Sequence, residues 1–470
     1  MTRLTLFAAM AALFGCATPA YAQSLAQIRH PVVAASGGQG QPGAAWLQGG
    51  PVQSQYVVGS DGNTYIGLWI DAPTVAVGTQ VRAPMDVSLV IDTSGSMSGE
   101  KIVNARAAAT SFIETLADGD VLSIYGFGSG AYQLAAPTRL SSMTRPALIA
   151  AVQTLQASGG TNMYDALVAA EASVAQAPAT HPVRRVVMIS DGQANIGPST
   201  PDALGDVAGR GTEIGAQVTA IGVGLDYDER TLGALAQRSA GRMYHLADPS
   251  QMAMILHNEL GLLGATVAAN AYIEITPAAG VQILGVEALP MNREGSAVRI
   301  PIGALHGGQH REVLVRAHID TAQAGQRAIG AARLVFQDPR ANNVQRASQL
   351  NLAYAVTPDT RAATASAQPS VTAMVTRYQA ANVQIQATEM INRGQAGQAD
   401  ATLANAESSL RREAAVASNE GERRRLESQA VAISRSRAQV RASASAPAGA
   451  PAPRAAALEN NRAAMDAMGF

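Results

Sequence analysis

The sequence predicts an α/β domain with a doubly wound, mostly parallel sheet, inserted in an antiparallel β-sandwich and followed by a helical C-terminal segment. Three observations carry this. Between residues 86 and 265, continuous apolar runs of strand length alternate with segments of helical spacing, as expected for strands covered on both faces by helices. Between 268 and 356 the runs become short and alternating, separated by Pro, Gly and Asn, which is the sandwich pattern. The strand-like runs within 51–85 are too few to bury a core of their own. They are therefore predicted to join 268–356, with the α/β domain set between them.

The elements follow in order. Residues 1–22 read as a secretory signal peptide: Arg3, the apolar run Leu4 to Phe14, then Ala20-Tyr21-Ala22 before Gln23. Leu13-Phe14-Gly15-Cys16 also resembles a lipobox, so a lipid anchor at Cys16 is the alternative. Either way the mature protein is expected to be exported: periplasmic, at the cell surface or secreted. Residues 23–50, rich in Gly, Gln, Ala and Pro, read as a flexible leader; the G-x-G-x-x-G match at Gly38, Gly40 and Gly43 has no strand before it. Gln55 to Val58 and Thr64 to Asp71 flank a turn-rich stretch and read as a hairpin. In 86–265 the strands are Val87 to Ile91, Val121 to Phe127, Tyr132 to Leu140, Val183 to Ile189, Val218 to Val223 and Arg242 to Leu246. Helical runs lie between them, and the hairpin through Gly128-Ser129-Gly130 adds an antiparallel edge. Six short strands are expected in 268–356. Residues 371–442 should form about three helices, with Gly394, Asn419 and Gly421 as stops. Residues 443–470 read as a disordered linker and a short tail helix.

Composition narrows the function. The 47% of hydrophobic residues suffice for a core, and a formal net charge of −1 argues against a nucleic-acid binder. The only Cys is Cys16, so neither an internal disulfide nor a thiolate zinc site is available. The segment 86–265 carries 10 basic and 17 acidic residues, a net of −7, which suits a cation site. No later stretch has the roughly 18 uninterrupted apolar residues of a transmembrane helix; the best candidate, Met252 to Ala269, is broken by His257, Asn258 and Glu259.

The chemistry concentrates in three loops. Asp92-Thr93-Ser94-Gly95-Ser96 follows the first strand of the α/β domain, Thr161 follows Gly159-Gly160, and Asp191 follows the strand ending at Ile189. Strand ends at the reversal of strand order form the binding crevice of such a sheet. If the strands ending at Asp92 and Asp191 are neighbours there, two carboxylates and three hydroxyls share it. Hard oxygens in that number suit Mg²⁺, with Mn²⁺ or Ca²⁺ as alternatives. Lys101, in the first turn of the next helix, reads as a spectator. His306 and His310 read as part of a hairpin loop, and Arg423, Arg424 and Arg425 as a solvated helix face.

These residues resemble the metal-ion-dependent adhesion site of von Willebrand factor type A (VWFA) domains, whose pattern is D-x-S-x-S with a distant Thr and a distant Asp. The resemblance spans about 86–265 and includes Leu89-Val90-Ile91, Ser190-Asp191-Gly192 and Gly222 to Asp228. It implies a Rossmann-like fold and metal ligation by Asp92, Ser94, Ser96, Thr161 and Asp191, the Asp residues partly through water. It also implies an open metal position that takes a carboxylate from a protein partner. The wider layout is similar to bacterial secreted relatives of the inter-α-trypsin inhibitor heavy chain and calcium-activated chloride channel-like proteins.

The expected function is metal-dependent adhesion-type protein binding, without catalysis. A phosphatase with an aspartyl nucleophile would need a second Asp in place of Ser94, and a Ser–His–Asp triad would need a His at the crevice. A structural envelope protein without ligand, or a metal-dependent hydrolase, is the alternative.

Overall fold

The computed structural model describes residues 33–34, 46–74, 82–444 and 450–470. The signal-peptide, lipobox and G-x-G-x-x-G readings lie outside these residues, as does most of the leader.

Four strands precede the α/β domain: β1 (Val33–Ala34), β2 (Leu47–Pro51), β3 (Gln55–Val57) and β4 (Asn63–Asp71). The leader reading of 23–50 is thus corrected at its end, where β2 pairs antiparallel with β4. Gly49-Gly50-Pro51 masks the strand in the sequence, yet Leu47 is fully buried. The β3–β4 hairpin is also corrected. At three residues, β3 pairs parallel with a strand near residue 356, while β4 enters a different sheet. The turn residues were real but join two sheets.

The α/β domain runs from β5 (Met85–Asp92) through α1 (Glu100–Thr115), β6 (Val121–Phe127), β7 (Ala131–Arg139), α2 (Arg145–Gln153), α3 (Met163–Ala175), β8 (Val183–Ser190), α4 (Pro201–Gly211), β9 (Ala216–Val223), α5 (Glu229–Arg238) and β10 (Arg242–Leu246) to α6 (Met252–Gly264). The sheet order is β10-β9-β8-β5-β6-β7, parallel except at the β7 edge. Every residue of β5, β6 and β9 is buried, which is why these strands are mostly apolar without a polar face. The chain goes from β5 to β6 on one side and later returns to β8 on the other. The order therefore reverses between β5 and β8, which pair in register from Met85 opposite Val183 to Ile91 opposite Ile189.

The remaining strands are β11 (Thr266–Pro277), β12 (Gln282–Val286), β13 (Asn292–Glu294), β14 (Ala297–His306), β15 (His310–His318), β16 (Gly325–Asp338) and β17 (Val344–Thr357). They form a seven-stranded sheet that includes β1 and β3, and a four-stranded sheet ordered β12-β15-β4-β2. Strands before the insertion do pair with strands after it: β4 lies antiparallel to β15 along its whole length, from Asn63 opposite His318 to Asp71 opposite His310. Ile66, Leu68, Val313, Ile283, Ile300 and Leu352 belong to one buried cluster spanning both sheets. Trp46 stacks on Phe336 with ring centroids 4.5 Å apart. His306 and His310 do not flank a hairpin, because β14 and β15 belong to different sheets. His306 accepts from Arg242, while His310 lies between Asp71 and Glu312.

The C-terminal segment comprises α7 (Thr360–Ala365), α8 (Pro369–Asn392), α9 (Ala396–Val416), α10 (Glu420–Ser443) and α11 (Pro451–Met468). Asn419 caps α10 through the Gly421 and Glu422 amides, and Gly394 follows α8 with φ 76°. α8 lies on the four-stranded sheet so closely that a Cβ on Gly67 would sit 3.0 Å from both Val371 methyls. Of the expected linker and tail at 443–470, residues 445–449 lie outside the described residues, and Pro451–Met468 form an 18-residue helix that begins inside the expected linker. Pro451 and Pro453 fit its first turn, and it buries Ala457, Leu458, Asn460, Ala464 and Met465. Among the described residues, no helix is long and apolar enough to cross a membrane.

Candidate functional site

The β5–β8 pairing places Asp92 and Asp191 side by side at the carboxyl ends of two neighbouring strands. Asp92 is fully buried. One carboxylate oxygen accepts from the Ser94 amide at 2.7 Å and the other from the Ser190 hydroxyl at 2.6 Å. Burial pushes its carboxyl above the usual range, against the two serines, and Asp191 adds to the rise. Ser94 and Ser96 hydroxyls meet at 3.0 Å, and Ser96 donates to Asp191 at 2.7 Å. Four of the five expected residues thus form one hydrogen-bonded chain.

Thr161 arrives on a different loop that is stitched to the first. The Gly95 amide donates to the Gly159 carbonyl at 3.1 Å, and the Ser158 amide to the Thr93 carbonyl at 2.6 Å. Thr161 itself is clamped by Asn195, whose side chain accepts from the Thr161 amide at 2.8 Å and whose amide donates back to the Thr161 carbonyl at 3.0 Å. A Cβ built on Gly192 would lie 3.6 Å from both the Ser96 and Thr161 hydroxyl oxygens. Both hydroxyls therefore face the same small space beside Asp191, which Gly192 leaves open.

Lys101 is no spectator. Its ammonium donates to the second carboxylate oxygen of Asp191, and Asp191 is fully buried. The only lysine in the chain therefore supplies a positive charge to the crevice. Spacing along the sequence carried no sign of this, because the contact depends on how α1 swings back over the β8 end. Ser190 and Asn195 were likewise not assigned roles; Ser190 adjoins Asp191, but its bond to Asp92 follows only from β5 and β8 being neighbours.

The donor set fits a hard divalent cation: two carboxylates and three hydroxyls, all oxygen, with no sulfur or imidazole. Among the described residues there is no cluster of three or more His, Cys, Asp or Glu side chains that could hold a metal, so the hydroxyls must supply the rest of any such shell. His181 contacts the Gly119 carbonyl at the opposite end of the sheet, and His245 meets the Tyr227 hydroxyl.

A doubly wound sheet with this loop constellation at its switch point defines a VWFA-type domain. Residues 86–258 match the model of the von Willebrand factor type A domain. An uncharacterised protein of Synechocystis is 24% identical over 269 residues, 55% of this chain and 63% of the relative. Human inter-alpha-trypsin inhibitor heavy chain H4 is 26% identical over 183 residues, 37% of this chain and 20% of the relative. The chain thus spans less than two thirds of the length of these relatives. Among solved structures, a von Willebrand factor type A protein from Catenulispora acidiphila shares the fold with a TM-score of 0.67 at 18% identity, covering 84% of this chain and 90% of its own. That similarity extends well beyond the α/β domain, into the sandwich.

Proposed function

We propose that this chain is an exported, metal-dependent binding module of the adhesion type, in which Asp92, Ser94, Ser96, Thr161 and Asp191 hold a divalent cation, Mg²⁺ first. The observation that carries this is the convergence of the three loops on the space beside Gly192. A cation held there supplies a fixed positive centre for a carboxylate oxygen of a protein partner.

The chain's own residues set the terms. Asp92 is oriented by Ser190 and by the Ser94 amide, and its burial makes a bare second anion in the site costly. Asp191 offers one oxygen to Ser96 and the other to Lys101. Lys101 competes for that oxygen and sets how readily it is released.

Thermal melting of the full chain with millimolar Mg²⁺ or Mn²⁺, against EDTA, tests the reading. A ligand at about 100 times its Kd adds roughly 2.7 kcal/mol of stability, so wild type should melt higher with metal. Asp191→Ala and Thr161→Ala should show no metal increment, and Asp191→Asn, which keeps the buried volume beside Lys101, should fold and lose the increment as well. Lys101→Ala should keep the increment and need about tenfold less metal, a difference of ~1.4 kcal/mol. Protein isolated from cells should begin at Gln23 or at a lipidated Cys16. Melting indifferent to Mg²⁺, Mn²⁺ and Ca²⁺, or a mature chain retaining Met1, would overturn the corresponding half of the reading.

A further inference from the structure

Far from the crevice, the α/β domain meets the sandwich around a small polar cavity. Arg185 from β8, Arg242 from β10, His306 from β14 and Arg311 from β15 line it, together with Gln217 and Gly469. Arg185 is 2% exposed, and Arg311 and His306 are each 6% exposed. Three guanidinium groups therefore gather where water is scarce.

Their charge is not balanced. Glu259 lies 3.7 Å from Arg185, and no other carboxylate among the described residues reaches ion-pair distance of Arg185, Arg242 or Arg311. Glu259 is itself occupied by the Thr219 hydroxyl at 2.6 Å and the Tyr244 hydroxyl at 2.8 Å. Arg311 gives one nitrogen to the Gly469 carbonyl and stacks over Phe470. Among the described residues, its other two nitrogens have no hydrogen-bond partner, and neither do two nitrogens of Arg185. Arg242 donates to the Nε2 of His306 at 2.8 Å. Nε2 must then carry the lone pair, so Nδ1 bears the hydrogen, on the far side of the ring and toward the Leu262 backbone. Burial and the facing guanidiniums of Arg242 and Arg185 push His306 down to about 4, which keeps it neutral and fixes this tautomer.

The unpaired side-chain groups around the cavity are thus donors, with a surplus of two positive charges. A buried charge without a partner costs several kcal/mol. A water molecule would satisfy two donors and leave the charge. An anion satisfies donors and charge together. Size then selects the anion: the space open to the centre of a water-sized sphere is about 10 Å³, room for roughly one occupant of that size. Sulfate and phosphate, with five heavy atoms, exceed it.

We infer that the junction of the two domains is a halide site, taking chloride between Arg185, Arg242 and Arg311. The ion would join the domains by neutralising charge contributed from both: Arg185 and Arg242 from one, Arg311 from the other.

The unmodified full chain tests this directly. Crystals soaked in bromide should show an anomalous peak within hydrogen-bond distance of Arg185 and Arg311. In solution, chloride replacing gluconate at constant ionic strength should raise the melting temperature saturably, on the order of 2 °C. Arg242→Gln should lose that chloride-specific increment while keeping the general response to salt. Density for water only, with no bromide peak, overturns the inference. So does equal melting in chloride and gluconate, or an increment that persists undiminished in Arg242→Gln.

Discussion

At the scale of single residues, burial decides more than spacing. Asp92, Ser94, Ser96, Thr161 and Asp191 were legible because loop residues after strands have a fixed address in a doubly wound sheet. Lys101 was not, because its partner is 90 residues away in sequence. Asp86 shows the same limit. It sits inside β5, 1% exposed, with one carboxylate oxygen unpartnered. Burial raises its carboxyl to about 7, with Arg184 pulling the other way. Unfolded, it releases its proton near the ordinary carboxylate value of 3.8. Between those values the folded state binds more protons, so its contribution to stability falls as pH rises from about 4 to about 7 and stays low above. Asp86→Asn removes this dependence. Urea unfolding at pH 5 and at pH 7.5 should show the variant gaining on wild type by about 2 kcal/mol between the two; a constant difference would place the Asp86 carboxyl in an ordinary environment.

At the scale of elements, helices and fully buried strands announced themselves, whereas short or glycine-rich strands did not. α3 is among the helical runs that spacing reveals, and the structure bounds it at Met163 and Ala175. β2 was lost because two of its five residues are glycine, which removes the alternation a strand is read by. Those glycines are there for contact. A Cβ on Gly49 would lie 2.3 Å from the Gly67 carbonyl oxygen and 3.0 Å from the Leu68 Cα, both backbone atoms that cannot step aside. Gly49→Ala should therefore cost about 3 kcal/mol and loosen β2 from β4. Gly397, inside α9 with nothing near its Cβ position, is the opposite case, and Gly397→Ala should stabilise by roughly 0.5–1 kcal/mol. Denaturation midpoints of the two variants, with amide exchange along β2, check both signs.

At the scale of the whole molecule, the inserted arrangement followed from a shortage: two strands cannot bury a core, so they must borrow partners. What the sequence concealed was how the C-terminal helices hold the α/β domain. Arg454 of α11 donates to the Leu225 carbonyl at 2.9 Å, to the Tyr227 carbonyl, to Glu229 at 2.6 Å and to Asn392 of α8 at 3.2 Å. Asn392 closes the ring on Glu229 at 2.8 Å. Composition had marked this region as linker and tail, since an Ala-rich run with prolines looks the same whether it docks or not. Arg454→Ala leaves Glu229, 3% exposed, without its cation, a loss of about 3 kcal/mol for a buried pair. It should lower the unfolding midpoint and raise amide exchange in α11 and in 225–228 together. Exchange rising in α11 alone would mean that the clasp does not tie the two.

The insertion hangs from one small loop. The Gly307 amide donates to the Ala265 carbonyl, just after the chain leaves the α/β domain, and the neighbouring Gly308 amide donates to the Pro73 carbonyl, shortly before it enters. Both crossings are fastened within two residues of each other. A pull applied along the strands of the sandwich would run through the β4–β15 hydrogen bonds and past this fastening, leaving the parallel sheet and its crevice outside the line of tension. A partner tugging on the crevice would instead load the two crossings side by side, and with them the Arg454 clasp on 225–229.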